Sequence, residues 1–459
     1  VGGETVRTTL LILACSIAAF SSSDGAVGWR NDGTGKYPAA VPPTKWSADA
    51  NVVWKTPMPS WGNATSVIVG NKLFVCSEPA SLVCVNLADG RILWESTNTY
   101  LDMVSAKWSG GTEDDKGKAG NIVKQFRPLD RELRKLKQQL KNSPSDAGMV
   151  ETIRKLNRRI QDLTKALESQ AEYRLPRTEP VCGYSSSTPV SDGKNVYVLF
   201  GTGVAACYDL AGNRKWIKLI QKPTHNYGHG ASPLLAAGKL IVRLLDLIAL
   251  DARSGKVLWK VKTKPWWGTP ALSRIGNVDV VITPHGGIVR IADGAILADN
   301  LSKLYSGSPI TESKIAYFIE TGAVAIKLPP KTSEKITPKI IWRITLKNDI
   351  YYASPVLHNG LIYAITQHNF FSVIDAKDGS VVYKKKLNLG GGTVYPSITL
   401  AGDYLYVSID NGTTIVMKPG RKYEEVARNK LEPFRSSPVF RDKRLYVRGL
   451  KNLYCIGKE

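Results

Sequence analysis

A phrase that returns at a near-constant interval limits this chain more than any other feature. "GRILWE" at 90–95 comes back as "GKVLWK" at 255–260. Aligning the chain on steps of a small residue followed by proline gives Pro189, Pro233, Pro270, Pro309, Pro355, Pro396 and Pro438, with "ATSV" at 64–67 as an earlier member. Successive prolines lie 44, 37, 39, 46, 41 and 42 residues apart, the period of a four-stranded propeller blade. The alignment counts eight units.

Within a unit the order is constant: a strand opening at Ser-Pro, a turn, an apolar strand such as "KLFVC", "NVYVL" or "RLYVR", a loop, another apolar strand, a turn, and a last strand ending in Trp. Alternating β-branched and aromatic residues bounded by Gly, Asn and Asp are strand and hairpin signals. In "ALDARSGKVLW" the Asp and Gly make a tight turn in which Gly255 supplies a positive φ, and Trp259 follows on the outer strand. Trp54, Trp94, Trp216 and Trp342 stand as candidates for the same place. A Trp buries roughly 150–250 Å², so a recurrent one reads as glue between neighbouring blades.

A ring must close. "NVVWKTPMPSWGNATS" at 51–66 resembles "KVLWKVKTKPWWGTP" at 256–270, a fourth strand running into a new blade, while the last unit stops after its third strand, "NLYCIG". Val52 to Lys55 is therefore expected beside Leu453 to Ile456, which leaves no open edge inside the ring.

One stretch does not repeat. From Leu129 to Leu167 apolar residues recur at steps of three and four among charges, and "NSPSD" at 142–146 breaks the run, the pattern of an antiparallel helical hairpin. Following a fourth strand, it is expected to overhang the mouth of the ring as an ornament, a lid or a docking arm. The fold class is thus all-β: an eight-bladed β-propeller of four-stranded blades closed by an N-terminal strand, with an α-helical hairpin inserted after blade 1. The expected divisions are a signal peptide at 1–21, an extension at 22–45, the closing strand and blade 1 at 46–100, an insertion at 101–180 with its hairpin at about 128–170, and blades 2–8 at 181–457.

The apolar run Leu10 to Phe20, followed by small residues, is too short to span a bilayer of roughly 30 Å and fits a secretory signal. Cys15 leaves lipidation open beside cleavage. Lys and Arg number 62 against 39 Asp and Glu, a net charge of +23 that attracts polyanions without choosing among them. Cys84, Cys207 and Cys455 occupy equivalent places where Ala249 and Val373 sit elsewhere, which marks a small buried apolar position. Cys76 and Cys84 also lie on two joined strands, where a disulfide could form. No CxxC gives a zinc spacing.

The run A-x-D-x-x-S-G-x-x-x-W at Ala249, Asp251, Ser254, Gly255 and Trp259 resembles the tryptophan-docking motif of the pyrroloquinoline-quinone (PQQ) repeat family. The resemblance covers roughly 46–100 and 180–457. That family includes eight-bladed quinoprotein alcohol dehydrogenases and the non-enzymatic B lipoprotein of the outer-membrane β-barrel assembly machine, and the chain looks nearer to the second. The dehydrogenase resemblance implies PQQ stacked on a tryptophan, a calcium ion, an aspartate base and a disulfide of adjacent cysteines. This chain has no adjacent cysteines.

On the expected cofactor face the second-to-third loops offer Glu78, Asp246, His285, Glu320, His368 and Asp410, each from a different blade. About four residues before the Ser-Pro steps stand His229, Trp266, Tyr305, Tyr351 and Phe434, with Trp61, Tyr184 and Trp267 close to the corresponding place. These rings either stack on a ligand or fill the axial channel. His225, His229 and His285 are candidate ligands for a transition metal. The leading expectation is an exported, monomeric, non-enzymatic propeller without a cofactor. It would serve as a protein-binding or assembly scaffold in the periplasm or cell envelope, or outside the cell, peripheral to a membrane at most. Its partners would be an envelope protein or an anionic envelope polymer, with no nucleic acid. The alternatives are a PQQ- and calcium-dependent dehydrogenase and a carbohydrate-binding propeller.

Overall fold

The structure is a computed structural model that describes residues 26–107, 117–140, 143, 145–225, 227, 229–264 and 267–457. The signal-peptide segment, Cys15 and Trp266 lie outside the described residues. Eight antiparallel sheets form among the described residues, each with four blade strands in meander order. Blade 1 spans 67–97, blade 2 190–219, blade 3 234–262, blade 4 271–298, blade 5 310–345, blade 6 356–386 and blade 7 399–430. Blade 8 joins its three strands at 439–456 to Val52–Pro57, with Val52 opposite Ile456, Trp54 opposite Cys455 and Lys55 opposite Tyr454. The ring closes where the sequence indicates.

Adjacent blades are joined by a repeated contact. The outer-strand indole N–H donates to a carbonyl in the third-to-fourth turn region of the next blade: Trp54 to Leu87 at 3.2 Å, Trp94 to Leu210 at 3.4 Å, Trp216 to Ala252 at 3.0 Å, Trp259 to Ile291 at 2.9 Å and Trp342 to Ala376 at 2.9 Å. Beneath each indole lies a glycine of that next turn. A Cβ on Gly90, Gly212, Gly255, Gly294 or Gly379 would come within 2.6–2.9 Å of the ring. Gly255 therefore serves twice, taking φ +66° in its own turn and giving Trp216 of the preceding blade room to lie flat.

Opposite each Trp in register stands a small third-strand residue: Cys84, Cys207, Cys455, Ala249 or Ala325. Three of the cysteines are thus spacers that leave volume for an indole. Cys76 pairs with Leu82 and Cys84 with Phe74, and both thiols are free. The disulfide considered from sequence is absent because the hairpin register sets the two apart.

Blades 4, 6 and 7 carry Ala298, Tyr383 and Ala427 at the tryptophan's register. At blade 4 the long third-to-fourth loop of blade 5 reaches across, Lys335 Nζ to Ile296 O at 2.8 Å and Ile336 N to Leu297 O at 2.9 Å. At blade 6 the Arg421 guanidinium of blade 7 meets Asp375 at 2.9 Å, and Lys385 lies over the Tyr423 ring at 4.2 Å. At blade 7 the missing ring comes from outside the repeat. Trp46 of the N-terminal extension stacks on Tyr406, centroids 6.2 Å apart, in the same cluster as Ala427. Asn429 fixes it, accepting from Trp46 N at 2.8 Å and donating to Thr44 O at 2.9 Å.

The rest of that extension straps the end of the ring where first and second strands turn. Val27 bridges Ser191 of blade 2, Lys36–Tyr37 adds a parallel strand to blade 7, and Val41 N donates to Asp442 O of blade 8 at 2.8 Å. Between these points Arg30 is buried and donates to Pro355 O at 2.8 Å and Ile398 O at 2.9 Å. The strap crosses the floor from blade 2 to blade 8.

The insertion contains α1 (Tyr100–Lys107), α2 (Lys118–Leu140) and α3 (Ala147–Glu168). The hairpin thus starts ten residues before the expected 128, with Pro128 inside α2, because Ile122 and Phe126 already continue the stripe of Leu129, Leu133, Leu136 and Leu140. Its root belongs to the flank of blades 1 and 2. Leu101, Val104, Val123, Phe126, Leu163 and Leu167 share a core with Phe74, Phe200 and Ile217, and Tyr100 Oη donates to Thr202 O at 2.8 Å. The helices pack against the rim, contrary to the expected overhang; only the following segment, 174–183, runs inward to the mouth.

Replacing Trp46 by Ala should cost about 3 kcal/mol of unfolding free energy, comparable with Trp216→Ala. Chemical denaturation monitored by circular dichroism checks it, and an unchanged midpoint would show the extension to be dispensable.

Candidate functional site

The loops that lead into each blade meet at the end of the ring opposite the strap. Their positions are set by a belt of buried hydroxyls. Thr188 N donates to Ser232 Oγ, Ser232 N to Thr269 Oγ1, Ser308 N to Ser354 Oγ, Ser354 N to Ser397 Oγ, Ser397 N to Ser437 Oγ and Ser437 N to Thr65 Oγ1, all at 3.0–3.1 Å. These join six blade interfaces among the described residues, and they explain the small residue of the Ser-Pro step. It is a hydroxyl that accepts from the preceding blade. Ser397 occupies the place held by Ser354, so Pro396 stands two residues early, before the hydroxyl rather than after it.

A second clamp ties second-to-third turns to their own lead-in loops in blades 1, 2, 6 and 7: Glu78 N to Trp61 O at 2.8 Å, Gly201 N to Tyr184 O at 2.7 Å, Gln367 N to Ile350 O at 2.8 Å and Asp410 N to Thr393 O at 3.1 Å. The carboxylates singled out from the sequence reinforce these clamps. Glu78 Oε1 accepts from Tyr184 N at 2.7 Å and from both Ser185 N and Ser185 Oγ at 2.6 Å. Burial nevertheless raises its pKa above the usual carboxyl range. Glu320 Oε2 accepts from Tyr305 N at 2.8 Å, and burial pushes its carboxyl up to about 6. Asp410 Oδ1 accepts from Thr393 N at 2.9 Å. Burial works against the charge of Asp246, yet donors Lys260 at 2.9 Å and Gln221 at 2.7 Å outweigh it and hold the carboxyl below its ordinary range. His368 pairs with Asp349 at 2.9 Å.

The aromatic residues divide. Tyr351 and Phe434 are buried in blade cores; each is one residue before the side chain that reaches the mouth. Tyr184 is half-buried, its hydroxyl donating to Pro176 O at 2.8 Å, and Trp61 lies against Gly183. His225 meets Trp267 edge-on at 4.7 Å and stacks on Tyr227 at 5.5 Å, and Trp267 lies 4.9 Å from Tyr305. Tyr352 continues the series, 5.1 Å from Tyr395, over which the Arg435 guanidinium sits at 5.9 Å. Arg435 leans on Asn63 Oδ1 and Val181 O at 3.4 Å, and Asn63 Nδ2 donates to Cys182 O at 3.0 Å. Successive lead-in loops of blades 3 to 7 thus present His225 with Tyr227, then Trp267, Tyr305, Tyr352 and Tyr395. Arg435, Asn63 and Cys182 complete the circuit.

Tyr227, Tyr352, Tyr395 and Arg435 were missed from the sequence. For Tyr352 and Arg435 the signal was a Tyr or Arg beside an already chosen residue, but loop residues have no period to say which of two neighbours points inward.

Burial drives the imidazole of His229 down to about 3, the Arg243 guanidinium adding to the effect, so it stays neutral inside blade 3. His285 is lowered by burial and by Lys264. Among the described residues no three His, Cys, Asp or Glu side chains gather around one point. Calcium needs six to eight converging oxygens. Here the carboxylates sit in blades 1, 3, 5 and 7, Glu78 engaged by the lead-in loop of blade 2 and the others by their own loop or blade, so they do not fit the calcium and PQQ that the dehydrogenase resemblance implies. The mouth offers aromatic faces, phenol hydroxyls and one guanidinium.

No curated protein matches the chain. Among solved structures, the BamB protein of Moraxella catarrhalis is 10% identical, aligning 89% of this chain with 97% of its own at a TM-score of 0.56. Quinohemoprotein alcohol dehydrogenase of Comamonas testosteroni is 11% identical over 92% of this chain and 79% of its own, TM-score 0.54. A europium-containing methanol dehydrogenase is 10% identical over 93% and 96%, TM-score 0.55. At such identity these likenesses speak for the propeller alone. The family model described as outer membrane protein assembly factor BamB, a PQQ-repeat model, matches residues 14–100, 173–280 and 246–456, and the chain belongs to that family.

Proposed function

We propose that this propeller is a non-enzymatic assembly scaffold of the cell envelope, exported across the inner membrane, whose aromatic mouth seats a segment of a partner protein. One observation carries the reading: five consecutive lead-in loops each present an aromatic ring, with Tyr227 53% and Tyr305 38% exposed. Tyr, Trp and Arg are the residues in which binding energy concentrates at protein interfaces, because they bury large rigid areas at small entropic cost. The belt of hydroxyls and the clamped carboxylates hold the arc before any partner arrives, which lowers the ordering cost of binding. Family membership supports an assembly role. Among the described residues no helix is long and apolar enough to cross a membrane.

Photo-crosslinking tests this. A benzoylphenylalanine at Tyr352 should yield a discrete envelope-protein adduct that Trp267→Ala with Tyr305→Ala reduces at least tenfold, while the same probe at Lys384 on an outer strand yields none. Retention of PQQ by the purified protein supplied with PQQ and calcium, with dye-linked alcohol oxidation, would replace the scaffold by a dehydrogenase. Glycan binding that depends on Trp267 would replace the protein segment by a sugar.

Glu320 makes the arc sensitive to acid. Its folded pKa of about 6 lies above the ordinary carboxyl value of 4.5, so the folded state binds the extra proton, and stability contributed by this group falls as pH rises from 4.5 through 6. Over the same window the ionised carboxylate tightens its hold on Tyr305 N. The difference in emission between the wild type and Trp267→Phe should titrate with a midpoint near 6, and Glu320→Gln should abolish the step.

A further inference from the structure

The flank of blade 2 carries a basic cleft that neither the ring nor the mouth uses. At 100° per residue, Lys124, Arg127, Arg131, Arg134 and Lys135 of α2 fall within an arc of roughly 100°, along about 17 Å of helix. Asp130 and Glu132 fall outside it. Lys124, Arg131, Arg134 and Lys135 are exposed. Arg127 donates to Ser105 O on α1 at 3.3 Å, and Arg134, at one edge of the arc, lines a cleft shared with the outer strand Arg214–Leu219, which exposes Lys215 and Lys218.

Between helix and strand lies a cleft of about 240 Å³, lined by Asp102, Phe126, Asp130, Arg134, Arg214 and Lys215 among others. Asp102 and Asp130 are already occupied, pairing with Arg214 at 3.3 Å and with Arg134 at 2.8 Å. The second terminal nitrogen of Arg214, Nη1, is buried with no hydrogen-bond partner. A stripped guanidinium N–H is costly, and an anionic oxygen in the cleft is its strongest acceptor once the guanidinium, 14% exposed, turns this buried nitrogen outward.

We propose that this cleft and the arc beside it bind a linear acidic polysaccharide, one carboxylate or sulfate seated at Arg214 and the following ones along α2. The row suits a chain of charges rather than a single ion. Phe126, the one aromatic residue of α2, is buried, as is Trp216, so among the described residues of the cleft no ring stands ready to stack nucleic-acid bases. The apolar stripe of α2 is spent on α3 and the blades, which leaves nothing to enter a lipid surface. The proposal does not depend on the aromatic mouth.

Anisotropy of a labelled alginate dodecamer with the full chain, measured across a salt series, tests it. Lys124→Gln, Arg131→Gln and Lys135→Gln together should weaken binding at least tenfold and flatten the slope of log K against log salt by about 2. Lys384→Gln, Lys385→Gln and Lys386→Gln on blade 6 remove the same charge and should change affinity less than twofold. Arg214→Lys keeps its charge but not the second nitrogen, and should weaken binding about fivefold at an unchanged slope. Circular dichroism reports whether that variant keeps its helices; if it does not, the triple variant of exposed residues decides. Equal losses in the two triple variants, or no binding by the wild type, would overturn the proposal. So would a dT12 oligonucleotide or phosphatidylglycerol vesicles binding as tightly through the same residues.

Discussion

An indole laid on a glycine is the contact on which this ring depends. The glycine has no Cβ, so the indole approaches the backbone closely, and its N–H finds a carbonyl nearby in the same turn region. Burial alone would tolerate sliding; the directed N–H removes that freedom and fixes one blade against the next. Where the indole is missing, the interface is rebuilt by a longer loop, by a tyrosine with an ion pair, or by Trp46. That the last substitute lies outside the repeat matters. It makes the extension part of the ring, and the chain that delivers Trp46 goes on directly to Val52–Pro57, the strand that closes blade 8.

The same economy governs the mouth. A loop with buried polar backbone must find partners for it. Here the hydroxyl belt and the clamped turns supply them, and acidic residues that would elsewhere suggest chemistry are consumed in holding N–H groups. Glu78 shows this most plainly, with three donors on a single oxygen. A carboxylate so engaged is poorly placed to abstract a substrate proton or to join a metal cage. What remains free to act on a ligand is the surface these clamps display, which is aromatic over most of its circuit.

Architecture was legible because it repeats. Each blade writes the same requirements, so Trp259, Gly255 and Ala249 could be aligned with counterparts elsewhere, and the orphan strand at Val52 announced the closure. The site was legible only to the resolution of a loop. Tyr305 and Trp267 were placed, but Tyr351 and Phe434 were chosen where Tyr352 and Arg435 reach the mouth, since no period distinguishes adjacent loop residues. Trp46, placed with the closing strand, was not recognised as a blade contact because its partner, Tyr406, is 360 residues away in the chain. Likewise α2 began earlier than expected, as Pro128 reads as a break unless the stripe through Ile122 and Phe126 is followed across it.

The distribution of charge separates the two surfaces. A net charge of +23 gives the mouth little: Arg435 is the one cation in its described circuit, and it sits on an aromatic ring and two backbone or amide oxygens. The excess is displayed on outer strands and on α2, five of whose cations line one side while Asp130 and Glu132 keep to others. Self-repulsion makes such a row costly in an isolated helix, and the core shared with blades 1 and 2 is what keeps it folded against that repulsion. The insertion therefore holds a concentration of positive charge that could not stand alone, on a face well away from the rings, and two ligands of opposite character can occupy the one molecule without competing.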